Sequence, residues 1–493
     1  GTSPVYPIKS VAEGDTITVD TGAVKFRVSK ANFAVINEAW FDPEGKGKFG
    51  VPVVAAGTAK IVANMVSGTY KVTGARATCD NASEPFDARI KCESLELEEN
   101  TPVRAVVKAT GVFTKDDAPT LDFVARIYAM SGSPAVRVSL SVINLKGSAW
   151  NTFHGFNELS LNVPLKAAGA MKYVIGASEG EDKRGELKAG EKATILQSYS
   201  EHGTFGGVAE GQGKAKSIST RRLGWVDVSG ADVGLAGGIR YFWQLHPKGM
   251  AVSGDGMVSL QIVPRQDKKV EVPKGVTSQA DTRVDFFAGG ARTHELLLAF
   301  HKASDKPGPR AMGVVDPLLA ACPTQQYCQD SKAEGLLWDS HPENFKREHQ
   351  ELVAAYQNKL EEAFNECAGK TRRAGKRGTE EFGFWSYGVG TEANGDGYIT
   401  PNDWLATRWD GNYYDFPRAA MVNFWRTGKL TFWDVAQDSA LHLADVDVAH
   451  AHPGNPKLAG SEHTCPNRGH FRQWWRDEPF GISGNMDSSK CQS

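Results

Sequence analysis

The runs Leu121-Asp-Phe-Val-Ala-Arg-Ile-Tyr128 and Val136-Arg-Val-Ser-Leu-Ser-Val142 decide the fold class of this chain. In both runs apolar residues alternate with more polar ones, which is the pattern of a strand with one buried face. Similar runs recur through the first three hundred residues, with Gly, Asn, Asp and Pro between them at short intervals. This spacing favours sandwiches or barrels over alternating strands and helices.

The pattern becomes helical after the segment Pro307-Gly-Pro309. Residues 344–367 carry apolar side chains mostly three and four apart, which predicts an amphipathic helix. Residues 417–427 and 430–449 predict two further helices joined by a tight turn at Gly428, a helical hairpin. A shift near residues 95–102 divides the β part. The sequence therefore predicts a small β domain over 1–98, a β-sandwich over 99–310 and a helical domain over 311–493.

The bulk composition excludes several classes of protein. The 493 residues are 41% hydrophobic and carry a formal net charge of −2, which argues against nucleic acid or an anionic membrane as the main partner. No apolar run is long enough to predict a membrane span. The Gly1-Thr2-Ser3 start resembles a processed terminus. The oligomeric state stays open.

The seven cysteines point to an oxidising compartment. Cys79 and Cys92, and likewise Cys322 and Cys328, are close enough in sequence to close small disulfide loops, as in secreted proteins. The alternative is a set of unrelated reduced thiols. We therefore expect a secreted, extracellular or periplasmic protein with disulfides.

The residues best suited to catalysis lie between Trp404 and His470, a segment that holds five of the twelve histidines. Breaking a uronate polymer by β-elimination requires a group that neutralises the sugar carboxylate, a base that removes the C5 proton and an acid that protonates the departing O4. This segment supplies all three residue types. The predicted catalytic residues are Arg408, Asn412, Tyr413, Tyr414, His450, His463 and Arg468. The alternative is that the tyrosines are core aromatics and that His450 and His452 cap a helix C-terminus.

Aromatic and basic residues around this segment are candidates for binding the sugar chain, because aromatic faces stack on sugar rings. Trp425 and Trp433 follow helical patterns and are better explained as core residues. The predicted substrate-binding residues are Trp409, Arg472, Trp474, Trp475, His154 and His202.

A calcium loop is predicted just before the catalytic segment. Residues 392–403 place oxygen ligands at loop positions 1, 3, 5, 9 and 12 with Gly at position 6, as in an EF-hand or dockerin-like loop. The alternative is a Gly-rich turn before a helix. The predicted Ca²⁺ ligands are Glu392, Asn394, Asp396, Tyr398, Thr400 and Asp403.

The order of these features resembles the exo-rhamnogalacturonan lyases. The similarity rests on Leu121–Val142, on Phe153-His-Gly155, on the run Asn412-Tyr-Tyr-Asp-Phe-Pro417 and on Asp445-Val-Asp-Val-Ala-His450. It implies a RIFT-like β-barrel, a β-sandwich and a C-terminal (α/α) toroid. It also implies that the partner is an acidic polysaccharide, cut at rhamnose–uronate linkages by elimination during secreted pectin breakdown. The helical part is short for a toroid, so we expect the toroid to be incomplete in this chain.

Two other functions fit the same residues. A glycoside hydrolase on the same scaffold would use a carboxylate pair such as Asp410 and Asp415 and would release saturated products. A non-catalytic extracellular protein would bind glycans on a lyase-like scaffold without turnover. The nature of the products separates these functions.

Overall fold

The computed structural model describes the following residues: 6–73, 76–149, 152–176, 182–199, 202–206, 216–218, 222–265, 283–306, 315, 323–368, 383–385, 387–388, 393–394, 408–409, 415–452, 457 and 459–460. These residues form a mostly β structure with a small helical part after residue 323. In this part of the chain, no helix combines the length and apolar character needed to cross a bilayer.

The chain begins with an antiparallel meander of four strands. They are β1 (Lys9–Glu13), β2 (Thr16–Asp20), β3 (Val24–Ser29) and β4 (Glu38–Phe41), paired in that order. Val19, Phe26 and Val28 are fully buried on one face of the meander, because the alternation of the sequence places every second side chain on that face.

A β-sandwich follows, and its strands come from the whole range 60–302. The strands are β5 (Lys60–Thr73), β6 (Arg76–Ala82), β7 (Phe86–Asp87), β8 (Arg89–Asn100), β9 (Arg104–Lys115), β10 (Ala118–Met130), β11 (Ala135–Ile143), β12 (Thr152–Pro164), β13 (Met171–Ile175), β14 (Lys183–Leu187), β15 (Lys192–Tyr199), β16 (His202–Gly206), β17 (Lys216–Ile218), β18 (Trp225–Ser229), β19 (Val233–Ile239), β20 (Lys248–Ser253), β21 (Met257–Val263), β22 (Val284–Phe287) and β23 (Ala291–Lys302).

These strands form two large sheets. The first has the order β14-β13-β18-β19-β23-β11-β10-β9-β8, and the second has the order β17-β16-β15-β20-β21-β12-β5-β6, with β22 paired to β12 and β7 to β5. The predicted β-sandwich is therefore confirmed. Strands β5 to β8 pair in the same two sheets as the later strands, so the pairing runs across residues 98 and 99, where the sequence placed a domain boundary. The three-domain division itself stays a prediction.

The core lies between the two sheets. Phe113 of β9 meets Phe156 of β12 edge to face, with ring centroids 5.2 Å apart. Phe33, which lies before β4, stacks on Phe123 of β10 at 5.3 Å. The buried apolar residues of the meander and of the sandwich form one continuous cluster.

The helical part has a separate small core. It contains α1 (Gln325–Ser331), a 3₁₀ turn (Pro342–Asn344), α2 (Arg347–Ala368), α3 (Phe416–Thr427), α4 (Leu430–His442) and a π-helical turn (Leu443–Asp447). Two short strands, β24 (Ala393–Asn394) and β25 (Arg408–Trp409), pair with each other. The predicted amphipathic helix and helical hairpin are confirmed, and Gly428 ends α3 in the left-handed conformation at φ 69°.

The last predicted helix ends earlier than expected. The sequence pattern predicts a helix that continues to residue 449, whereas α4 stops at His442 and the chain becomes extended at Val448 after the π-helical turn. Trp425 and Trp433 pack against the helical core, as expected. A toroid is not formed by the helices of the described ranges.

The expected disulfide between Cys79 and Cys92 is wrong. Both are free thiols, as is Cys328. Cys79 lies on β6 of one sheet and Cys92 on β8 of the other. Strand pairing therefore separates two residues that the sequence places thirteen positions apart. Cys322 lies outside the described residues.

Candidate functional site at the junction of sandwich and helices

One end of the sandwich meets the helical part at a junction rich in charged and aromatic side chains. Four segments contribute: the turn 240–248 between β19 and β20, the start of β23, the segment 383–388, and the C-terminal end of α4 with the π-helical turn. The N–H of Gly383 donates to the carbonyl of Gln244 at 2.8 Å, which ties two of these segments together. We call this region the junction.

Lys248 occupies the interior of the junction with its side chain fully buried. Its Nζ donates to the carbonyls of Leu245 at 2.7 Å and Pro247 at 3.2 Å. It also lies 4.5 Å from the ring centroid of Phe384. Burial lowers the pKa of Lys248 well below its ordinary value, and the nearby Arg292 adds to this effect.

Arg292 enters the junction from β23 and is also fully buried. Its Nη2 donates to the carbonyl of Tyr387 at 3.1 Å, and its Nη1 lies 3.9 Å from a carboxylate oxygen of Asp445. Its Nε has no hydrogen-bond acceptor among the described residues. Burial lowers the pKa of Arg292, although Asp445 opposes that shift. Arg292 therefore joins the sandwich to both C-terminal segments.

His294 lies two residues further along β23, on the same face as Arg292. Its ring centroid is 5.1 Å from that of Phe384, and neither ring nitrogen has a hydrogen-bond partner among the residues described. Burial lowers the pKa of His294 well below its ordinary value, and Lys248 and Arg292 lower it further. The imidazole is therefore neutral at physiological pH. Lys248, Arg292 and His294 together are called the buried basic cluster.

The carboxylates of the π-helical turn complete the inner part of the junction. Asp445 accepts hydrogen bonds from the N–H and the hydroxyl of Thr293, both at 2.8 Å. His442 lies against Asp447, with Nε2 and Oδ1 3.3 Å apart, and its Nδ1 is 3.2 Å from the carbonyl of Tyr387. Both side chains of this pair are fully buried. These contacts fix the end of α4 against β23.

Tyr241 lies at the outer part of the junction, in a left-handed backbone conformation with φ 56°. A non-glycine residue in this region is uncommon and is held there by its surroundings. The Arg240 guanidinium lies 4.5 Å from the Tyr241 ring centroid. Burial raises the pKa of Tyr241 above its ordinary value, and the charge of Asp438 raises it further. The phenol therefore keeps its proton at neutral pH.

Arg240 supplies a cation beside that phenol. Its Nη1 donates to the Glu295 carboxylate at 3.2 Å, and its side chain is 12% exposed. Burial opposes the charged form, but the Glu295 carboxylate helps to hold the pKa of Arg240 above its ordinary value. A permanent cation and a protonated phenol are therefore adjacent in this part of the junction.

The two parts of the junction differ in what they can contact. The buried basic cluster is closed to solvent, so it cannot meet a polymer without movement of the surrounding chain. Tyr241 and Arg240 are only partly buried. In the outer part, the Tyr241 phenol faces Asp438 and the Arg240 guanidinium donates to Glu295, so each donor has a carboxylate partner. The inner part holds the segments that position them.

Two of the predicted histidines lie near β22. His154 lies on β12, paired in register with Phe286, and its Nδ1 is 2.8 Å from the Ser67 hydroxyl. His450 follows the π-helical turn, and its N–H donates to the carbonyl of Gly289 just beyond β22. Burial lowers the pKa of His154 to about 4, so it carries no charge at neutral pH.

The structure describes no side chain for most of the other predicted site residues. For His202, Asn394, Arg408 and Trp409 only the backbone is described. The following lie outside the described residues: Asn412, Tyr413, Tyr414, His463, Arg468, Arg472, Trp474, Trp475, Glu392, Asp396, Tyr398, Thr400 and Asp403. The calcium loop therefore stays a prediction. Within the described ranges, no group of three or more His, Cys, Asp or Glu side chains is arranged to hold a metal ion.

Sequence reasoning missed Arg240, Tyr241 and the buried basic cluster. The run Arg240-Tyr-Phe-Trp243 combines a cation with three aromatic rings directly after a strand, which was a usable signal. Lys248, Arg292 and His294 gave no such signal, since single charged residues on strands are usually exposed.

A groove of about 670 Å³ lies apart from the junction, between α2, α3 and the segment before the 3₁₀ turn. Its walls carry the exposed side chains of Trp338 and Tyr356. Arg426 is buried beneath and donates to the carbonyl of Trp338 at 2.9 Å, which fixes the backbone that carries this indole. The groove is thus an additional concave surface with aromatic walls.

Comparisons with known proteins find a match for the first part of the β structure. Residues 8–172 match a family model described as the PcRGLX-like protein central beta sandwich domain. No curated protein matches the chain.

Similar solved structures include the GH36 alpha-galactosidase AgaB from Geobacillus stearothermophilus, at 8% identity and a TM-score of 0.35, covering 62% of this chain and 42% of that chain. Another is the galactosidase domain of alpha-galactosidase-sucrose kinase AgaSK, at 8% identity and a TM-score of 0.33, covering 59% of this chain and 41% of that chain. A putative aldose 1-epimerase from Escherichia coli K12 has 12% identity and a TM-score of 0.30, covering 60% of this chain and 99% of that chain. Similarities this low carry no argument about function.

The family match covers a third of the chain and includes the meander and the first half of the sandwich. The first part of the chain is therefore similar to a PcRGLX-like central β-sandwich domain.

Proposed function

We propose that this protein is a polysaccharide lyase that cleaves rhamnose–uronate linkages of a rhamnogalacturonan-type polysaccharide by β-elimination. The observation that carries the proposal is the match of residues 8–172 to the PcRGLX-like central sandwich domain. The junction supports it, because a cation and a protonated phenol are adjacent in its partly exposed outer part.

The reaction needs three groups around the uronate. A base removes the C5 proton, the electron pair of that bond forms the C4–C5 double bond, and the C4–O4 bond breaks. The departing O4 takes a proton from an acid, while a cation or amide stabilises the negative charge that develops on the carboxylate. Elimination therefore leaves an unsaturated uronate at the new non-reducing end.

We assign the acid and the carboxylate-binding roles to the outer part of the junction. Tyr241 keeps its proton at neutral pH and can supply it to O4, although its raised pKa makes the phenol a weaker acid. Arg240 keeps its charge and so suits the carboxylate. Tyr413, Tyr414, Asn412, Arg408 and Arg468 remain rival candidates for these two roles, and His450 or His463 remains the proposed base.

The buried basic cluster has a positioning role in this proposal. Arg292 contacts Tyr387 and Asp445, and Lys248 holds the turn that follows Tyr241 through two carbonyls. Substitutions there would act through the geometry of Arg240 and Tyr241. We further propose that the protein works outside the cytoplasm, where such polysaccharides occur, and that Ca²⁺ binds at residues 392–403.

The test is the ultraviolet absorbance of unsaturated uronate with rhamnogalacturonan as substrate, for wild type, Tyr241→Phe and Tyr327→Phe. Tyr327 is an exposed tyrosine on α1 and serves as the control. Loss of a general acid lowers the rate by roughly 10²–10⁴-fold, so Tyr241→Phe should lose most of the signal and Tyr327→Phe none. An unchanged rate for Tyr241→Phe would rule out its role as the acid.

The products also separate the rival functions. New reducing ends without unsaturated product would indicate hydrolysis, with Asp410 and Asp415 as the first carboxylates to substitute. Neither product, across several acidic glycans, would leave a glycan-binding protein without turnover. Loss of the signal on adding EDTA, and its return with Ca²⁺, would support the calcium site.

A further inference from the structure

The N-terminal meander carries a surface of basic and aromatic side chains far along the chain from the junction. Lys25 on β3 pairs in register with Trp40 on β4, and its Nζ lies 4.4 Å from the Trp40 ring centroid and 5.1 Å from that of Phe49. Arg27, two residues along β3, approaches the same indole at 5.5 Å. We call Lys25, Arg27, Trp40, Lys48 and Phe49 the basic–aromatic patch.

The loop that supplies Lys48 and Phe49 is held in one conformation by Asp42. This buried carboxylate accepts the N–H groups of Glu44 at 2.9 Å and of Lys46 and Lys48 at 2.8 Å. Burial alone would raise the pKa of Asp42, but these donors hold it below its ordinary value. The carboxylate therefore stays ionised at neutral pH and keeps the loop beside Lys25.

Two of the three cations of the patch, Lys25 and Lys48, are available to an anion. Arg27 pairs with Glu38 at 2.8 Å, whereas Lys25 and Lys48 form no ion pair with any carboxylate in the described ranges. Lys48 is exposed, and Lys25, Trp40 and Phe49 are partly exposed. The Lys25 ammonium lies beside two rings, and the exposed Lys48 precedes Phe49 in the same loop. Together they form a surface that suits a polymer combining carboxylates with flat apolar faces.

We propose that the basic–aromatic patch is a second binding surface for an acidic polysaccharide, separate from the site of cleavage. The sugar carboxylates pair with Lys25 and Lys48, and the faces of the sugar rings pack against Trp40 and Phe49. The patch keeps the polymer on the protein while the junction acts on a linkage elsewhere. The choice of ligand rests on the proposed function, since the substrate proposed there is also a polymer that contains uronates.

The test is retention of the full chain during native electrophoresis in gels that contain polygalacturonate. The informative variant is the double substitution Lys25→Gln/Lys48→Gln. Its control is Lys115→Gln/Lys60→Gln, which removes two lysines elsewhere, one of them 4.8 Å above the ring of Phe86. Each exposed ion pair contributes up to about 1 kcal/mol, so losing two should weaken retention by up to about thirtyfold. The control should be retained like wild type.

Further measurements show which kind of ligand the surface binds. Retention should fall as salt rises, because exposed charges are screened, and gels containing neutral galactan should retain no variant. Trp40→Phe, with its fold checked by circular dichroism, should weaken retention less than the double lysine variant. Equal retention by double-stranded DNA would overturn the proposal, because the surface would then bind any polyanion.

The outcomes also separate this inference from the proposed function. If soluble oligosaccharides yield unsaturated product but the Lys25→Gln/Lys48→Gln variant is retained like wild type, the inference is overturned and the lyase proposal remains. Patch-dependent retention without any unsaturated product would support the inference and remove the lyase proposal. A wild-type chain that polygalacturonate does not retain would overturn the inference outright.

Discussion

The carboxylate of Asp445 accepts hydrogen bonds from both the N–H and the hydroxyl of Thr293, each 2.8 Å long. The same carboxylate lies 3.9 Å from the buried Arg292 guanidinium. One side chain of the π-helical turn thus binds the first residues of β23 in two ways. These contacts fix the π-helical turn relative to the sandwich. By fixing this turn, they also fix the outer part of the junction.

Replacing Asp445 by Asn should therefore cost more stability than any exposed ion pair. The change leaves the Arg292 charge buried without its anion, and breaking a buried pair costs about 3–5 kcal/mol. The free energy of unfolding, measured in urea, should fall by about 3 kcal/mol. Glu362→Gln is the control, because its pair with Lys359 on α2 is exposed and contributes at most about 1 kcal/mol. Equal effects of the two changes would contradict this account of the junction.

His154 should make stability depend on pH in the acidic range. Burial lowers its pKa to about 4 in the folded protein, against about 6.5 in the unfolded chain. Between pH 4 and pH 6.5 the His154 imidazole binds a proton in the unfolded chain but not in the folded protein. The contribution of His154 to the free energy of unfolding is therefore complete above pH 6.5 and is lost as the pH falls towards 4. In His154→Gln this contribution is absent. The stability difference between wild type and variant should change by up to about 3 kcal/mol across the window.

The measurement is a series of urea denaturation curves from pH 7.5 to pH 4 on both proteins. A difference that stays constant over this range would mean that His154 titrates normally in the fold. Its contact with the Ser67 hydroxyl, 2.8 Å away, would then have to hold a charged imidazole.

Gly289 should not tolerate a side chain. Its φ is +79°, and an added Cβ would lie 2.2 Å from the carbonyl oxygen of Ala451. The carbonyl oxygen of Gly289 accepts a hydrogen bond from the N–H of His450 at 3.0 Å. Gly289→Ala should therefore displace the chain around His450 as well as strain the backbone.

A matched control isolates the steric part of that effect. Gly14 has φ +56° with nothing within 4 Å of an added Cβ, so Gly14→Ala should cost only the left-handed backbone strain, about 1 kcal/mol. Gly289→Ala should lose clearly more in thermal unfolding. If the two variants melt alike, the close approach between Gly289 and Ala451 does not matter for stability.

The thiols of Cys79 and Cys92 should react very differently. Cys79 is exposed and free, whereas Cys92 is buried, and burial raises the pKa of Cys92 to about 11. Because the thiolate is the reactive form, iodoacetamide at pH 8 should label Cys79 in the native protein and leave Cys92 unlabelled until urea is added. Peptide mapping by mass spectrometry reports each site. A peptide pair linked through Cys79 and Cys92 would contradict the fold, which places them in different sheets.

The strands of the sandwich were predictable because local alternation decides which side chains face the core. In β10, Leu121, Phe123, Ala125 and Ile127 are buried and the residues between them are not, as the sequence pattern required. The amphipathic helix α2 and the turn at Gly428 were predictable for the same local reason. The end of α4 at His442 was not predictable from the local sequence, because contacts between Asp445 and β23 accompany the change of conformation after this residue.

By itself, the sequence determined that the first three hundred residues form strands of a sandwich or barrel and that helices follow, since periods of two and of three to four residues are local properties. Only the tertiary structure decided that Lys248, Arg292 and His294 are buried together. Each lies on a strand where a charged residue is usually solvated, and they meet only because two sheets and a helical segment close over the same end of the sandwich. Tyr241 and Arg240 depend on that closure as well. Their protonation states follow from burial and from neighbours such as Asp438 and Glu295, which are distant in sequence.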